Sequence, residues 1–115
     1  MRLPGQSKAI VTKRKASKYL LARDHPTGRH KALWLTEHGF QAAAWHVLAA
    51  ALVRHAREHD VARVEDSPFG KRYVVEGRIV TPDGRDPIVR SVWFIEAESN
   101  VPRLVTVYPL RRRVA

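Results

Sequence analysis

The chain has 115 residues, 44% of them hydrophobic, no cysteine, and 21 Lys+Arg against 11 Asp+Glu, a formal net charge of +10. That length suits a single domain with its own core, so disorder throughout is excluded. The lack of cysteine removes disulfide and thiolate chemistry and suits a reducing cytoplasm.

No apolar run approaches the ~20 residues of a membrane span, and the stretch Met1 to Lys8 lacks the apolar region of a signal peptide. So large a charge opposes compaction and points to a polyanionic partner: nucleic acid, an acidic protein or an anionic membrane surface. A purely solubilising surface is the other reading. Residues 1–40 hold nine Lys/Arg and two Asp/Glu, whereas residues 41–115 hold twelve and nine. The excess therefore sits in the N-terminal third, with Arg111-Arg112-Arg113 as a basic tail. The chain reads as a basic segment over 1–14, a compact core over 15–110 and the tail over 111–115.

In chain order, Lys15 to Arg23 is a short helix with Ala16, Tyr19 and Leu20 on one side. Asp24-His25-Pro26-Thr27-Gly28 breaks it, because Pro26 keeps His25 out of the α region and Gly28 permits a turn. A second helix runs from Arg29 to His38, and Gly39 ends it in the left-handed conformation. The third runs from Gln41 to His59, with Trp45, Leu48, Ala49, Leu52 and Ala56 on an apolar face.

The period then changes. Val61 to Glu65 is a short strand, followed by a turn at Ser67-Pro68-Phe69-Gly70. Arg72 to Thr81, Ile88 to Glu96 and Leu104 to Tyr108 are rich in β-branched and aromatic residues and read as strands. Pro82-Asp83-Gly84-Arg85 is a tight reversal. Short connections favour an antiparallel meander. The expected fold is α+β: about three N-terminal helices packed on a four-stranded antiparallel sheet.

The helix break carries the strongest chemical signal. A glycine turn opening a helix leaves outward N–H groups that favour an anion, and Arg29 and Lys31 add charge. His25 titrates near neutral pH. An anion cradle, a cation and a proton carrier are what phosphoryl chemistry requires. The same segment also reads as an ordinary connector. On the strands, Arg90 between apolar neighbours must face solvent or a polar site, and Thr106 and Tyr108 share a face.

His55 and His59 have the i, i+4 spacing of a zinc pair but no third ligand, so no metal site is expected, and the pair reads as solvated. Trp34, Trp45 and Trp93 sit in apolar patterns and read as core. No cofactor motif is present.

Four blocks occur in order: His25-Pro26-Thr27-Gly28-Arg29-His30-Lys31-Ala32, Gly39-Phe40, Gly70-Lys71-Arg72-Tyr73-Val74-Val75 and Val89-Arg90-Ser91-Val92-Trp93-Phe94. They resemble a family of small bacterial domains without assigned function, found alone or at the C-termini of adhesin-like and phage-associated proteins. That family is similar to the toxin domains of the barnase–EndoU–colicin–RelE superfamily, which are metal-independent ribonucleases.

The resemblance implies a catalytic set of His25 as general acid or base, Lys31 stabilising the phosphorane, Arg72 and Arg90 holding phosphate oxygens, and Thr106 donating from the sheet. Arg29, His30, Lys71, Tyr73 and Tyr108 would contact the nucleic acid. It further implies an RNA substrate and an acidic antitoxin or immunity protein as partner. A non-catalytic basic module, binding nucleic acid or an acidic protein, is the alternative.

Overall fold

The computed structural model describes residues 1–21 and 29–110. His25, the turn around it and the Arg111–Arg113 tail lie outside the described residues.

The first helical segment, Arg14–Leu20, is wound as a π-helix. Thr12 Oγ1 accepts the Lys15 amide at 3.1 Å, and the Leu21 amide closes on the Ala16 carbonyl, five residues back, at 3.0 Å. Ala16 and Leu20 are its buried residues.

Helix α1, Arg29–Glu37, buries Ala32 and Leu35. It stops at Gly39, whose φ of +100° is left-handed, and a Cβ there would lie 2.8 Å from Pro82 Cβ. Glycine satisfies both demands. A 3₁₀ turn at Ala42–Ala44 then leads into α2, Trp45–Glu58. Leu48, Leu52, His55 and Ala56 form its buried stripe.

Strands β1 (Val61–Ser67), β2 (Gly70–Arg78), β3 (Ile88–Glu96) and β4 (Arg103–Pro109) pair antiparallel in sequence order. The expected α+β architecture is the observed one. The third strand has the bounds read from sequence, while the others differ by one to three residues at their ends, the usual spread of strand boundaries.

The β2–β3 loop is ordered by its own side chains: Thr81 Oγ1 donates to Asp83 Oδ1 at 2.7 Å, and Arg85 Nη2 reaches the Glu37 carbonyl at 2.7 Å. The Thr81 hydroxyl, then the Arg85 amide, hold the Asp83 carboxyl below the usual carboxylate range.

One sheet face packs on α2 around Trp93, Phe40, Leu35, Leu48, Leu52, Val75 and Val107. Trp34 and Trp45 are partly buried against this core. The N-terminal stretch joins it as well. Leu3 is buried, and Ile10 makes a parallel bridge to Arg103, its amide 2.9 Å from the Pro102 carbonyl. Among the described residues no helix is long and apolar enough to cross a membrane.

His55 corrects an expectation, since it is 1% exposed rather than solvated. Its Nε2 faces the Gly77 carbonyl at 3.0 Å and must donate to it. Nδ1 is therefore the acceptor, taking the Ser91 hydroxyl at 2.9 Å, and Ser91 Oγ in turn accepts Trp93 Nε1–H at 2.9 Å. This relay satisfies every polar atom in it. Burial, the largest cause, lowers the His55 pKa to about 4.

Candidate functional site

The sheet face turned away from α2 is ordered by register into three cross-strand rows. Arg72, Phe94 and Arg103 form one; Val74, Val92 and Thr106 the next; Glu76, Arg90 and Tyr108 the third. Successive rows on one face of a strand lie about 7 Å apart. Val74 and Val92 are buried, at 2% and 5% exposure. The middle row is thus an apolar floor between two rows that carry guanidinium groups.

Lys31 comes to this floor from α1. Its Nζ donates to Thr106 Oγ1 at 2.5 Å. Burial pushes the Lys31 ammonium below the ordinary lysine value, and the positive charge of Lys15 on the π-helix adds to that shift. An anion beside the Lys31 ammonium would offset both the desolvation and the repulsion.

In the neighbouring row, Arg90 Nε donates to Glu76 Oε2 at 2.6 Å while Nη2 pairs with the same oxygen. Arg90 Nη1 donates to the Tyr108 hydroxyl at 3.1 Å, and the guanidinium lies 5.5 Å from the Tyr108 ring centroid. The Tyr108 contact first, then Glu76, raises the Arg90 pKa, so its charge is fixed.

The structure thus brings together Lys31, Thr106, Arg90 and Tyr108, with Arg72 exposed on the same face. His30 is exposed beside Lys31 on α1, and Arg29 opens that helix. Two residues go elsewhere, because the period-two alternation turns them to the other face. Tyr73 is 7% exposed in the α2-facing core. Lys71, near the β1–β2 turn, pairs with Asp66 at 3.7 Å. His25 lies outside the described residues.

Sequence reading missed Glu76, Lys15 and Arg103. Glu76 becomes visible only once β2 and β3 are aligned and it stands opposite Arg90. Among the described residues no cluster of three or more His, Asp or Glu could hold a metal ion.

A family model covers residues 2–111 and carries the description "Domain of unknown function (DUF6883)". The chain belongs to this family. Among solved structures it is similar to a chain of a "Contact-dependent growth inhibition toxin - immunity protein complex" from Klebsiella pneumoniae 342, with a TM-score of 0.71 at 14% identity. That likeness covers 94% of this chain and 98% of the other. At such identity it establishes a shared fold. No curated protein matches the chain.

Proposed function

We propose that this domain is the toxin of a toxin–immunity pair, a metal-independent endoribonuclease that cuts RNA through the substrate's own 2′-hydroxyl. The observation that carries the reading is the meeting of Lys31 with Thr106 on a sheet face that also presents Arg90, Tyr108 and Arg72.

The chemistry needs little from the protein, because RNA supplies the nucleophile. The 2′-oxygen attacks phosphorus, the P–O5′ bond breaks, and the products are a 2′,3′-cyclic phosphate and a 5′-hydroxyl. One proton leaves the 2′-hydroxyl and one reaches the departing 5′-oxygen, the exchange assigned to His25 as general acid or base. The Lys31 ammonium faces the charge that builds on the non-bridging oxygens. Thr106 fixes where that ammonium points, and Arg72 and Arg90 grip phosphate in the planar fork that guanidinium provides.

The likeness to a chain of a toxin–immunity protein complex, beside the net charge of +10, supports an acidic protein partner for this basic chain. One observation favours a second reading, a non-catalytic binding module: Glu76 and Tyr108 already occupy much of the Arg90 fork.

RNA cleavage by purified protein in EDTA separates the two. Wild type should cut and His25→Ala and Lys31→Ala should not. Absence of cleavage across a broad RNA panel, with salt-sensitive binding that survives His25→Ala, would replace the enzyme with the module.

A further inference from the structure

The π-helix carries a second charged surface. Lys13, Arg14, Ser17, Lys18 and Tyr19 line one shallow groove. Lys13, Arg14 and Lys18 are exposed, and among the described residues none of the three forms an ion pair. No acidic residue occurs before Asp24, so the groove has no carboxylate within its own segment.

Arg14 and Lys15 both lie over the Tyr19 ring, at 6.0 and 5.0 Å from its centroid, which keeps these cations gathered. A π-helix of this length is rare, and π turns are found frequently at functional sites. The wide turn here buries Ala16 and Leu20 while turning the basic residues outward. The groove's segment also bears on the site: Lys15, next in the chain to Arg14, adds its positive charge to the field at Lys31.

We propose that the π-helix groove is a phosphate track that holds the RNA strand flanking the cut, through Lys13, Arg14 and Lys18. This rests on the ribonuclease reading for its ligand. The three exposed cations are residue types that hold phosphate oxygens, and among the described residues no amide or carboxylate side chain lines the groove, so contacts to the backbone dominate over contacts to bases. It would take DNA as readily as RNA, and discrimination by the 2′-hydroxyl is left to the Lys31–Thr106 face. An acidic protein segment would meet the same charges, but a flexible phosphodiester is the repeating anion that can reach three exposed cations along one groove.

The test uses the full chain and a labelled mixed-sequence RNA oligonucleotide, with a DNA strand of the same sequence in parallel. Affinity is measured against salt for wild type and for K13A/R14A/K18A. The triple variant should bind both strands at least roughly tenfold more weakly at low salt, and its salt slope should fall by roughly two to three, about one per lost phosphate contact.

Unchanged affinity and slope on both strands would overturn the track, whether or not wild type cleaves. Loss of RNA binding with DNA binding intact would also overturn it, since backbone contacts do not distinguish the two. If wild type binds but does not cut, the ribonuclease reading fails while the slope comparison still decides the track. A charge-retaining K13R/K18R variant with wild-type affinity guards against a folding artefact.

Discussion

Lys31 of α1 and Thr106 of β4 are 75 positions apart in the chain, and their side chains meet at 2.5 Å. The helix supplies a cation half-withdrawn from water, and the strand supplies an acceptor that fixes its direction. Replacing Lys31 by Met should lower the cleavage rate by about 100-fold or more, the scale of losing one charge-stabilising donor. Thermal stability should hold or rise slightly, because the ammonium's desolvation cost goes with it. Rate and melting temperature measured on the same preparation check both halves.

Arg90 should not tolerate lysine. Its guanidinium serves Glu76 and Tyr108 at once, and a single ammonium cannot reproduce that fork. Arg90→Lys should cost at most about 1 kcal/mol of stability, since the Glu76 pair is partly exposed. RNA affinity should fall by more than that. Denaturant unfolding set beside an oligonucleotide titration makes the comparison.

The buried His55 relay predicts a pH dependence. Folding lowers the His55 pKa to about 4 from an unfolded value near 6.5. The unfolded chain therefore binds more protons between those values, and stability contributed by the neutral ring is complete above pH 6.5 and is lost as pH falls towards 4. The loss amounts to about 3 kcal/mol at about 1.4 kcal/mol per unit. Urea unfolding at pH 7 and pH 4.5 should show the fall, and His55→Gln should flatten it.

Ser91 joins His55 to Trp93, accepting from the indole and donating to the imidazole. Ser91→Ala leaves both buried partners unpaired, at about 1–3 kcal/mol for each group. The double variant Ser91→Ala/His55→Leu should recover part of that loss, and a double-mutant cycle measures the coupling.

Gly77 lies under the His59 ring, where an added Cβ would come within 2.5 Å of the ring atoms Cγ and Nδ1. Gly77→Ala should destabilise by about 1–3 kcal/mol through overpacking. His59→Ala in the same chain should remove most of the penalty. If the two effects simply add, the contact is not the cause.

Much of this architecture is legible in the sequence. Pro82, Gly84 and the β-branched runs mark the meander, and Gly39 ends α1 as its position suggests. The burial of His55 is legible too, though only by giving helical spacing priority over residue type: it lies seven positions after Leu48 and three after Leu52, on the stripe that α2 buries. Spacing along one element cannot reveal Glu76 opposite Arg90, or Lys15 near Lys31, because strand register and helix docking set those meetings. The same alternation carries Tyr73 into the core although Arg72 beside it faces out.

The pairing of Ile10 with β4 has a consequence for how the sheet can meet other chains. With Ile10 bonded to Pro102 and Leu104, the β4 edge is already occupied at that end. At the opposite edge the Met1 carbonyl accepts the Val61 amide at 2.7 Å, and the residues of β1 after Val61 are exposed. A strand from another molecule would therefore dock on β1 in preference to β4. Extension at β1 would leave the strand carrying Thr106 and Tyr108, at the far edge of the sheet, clear of the added neighbour.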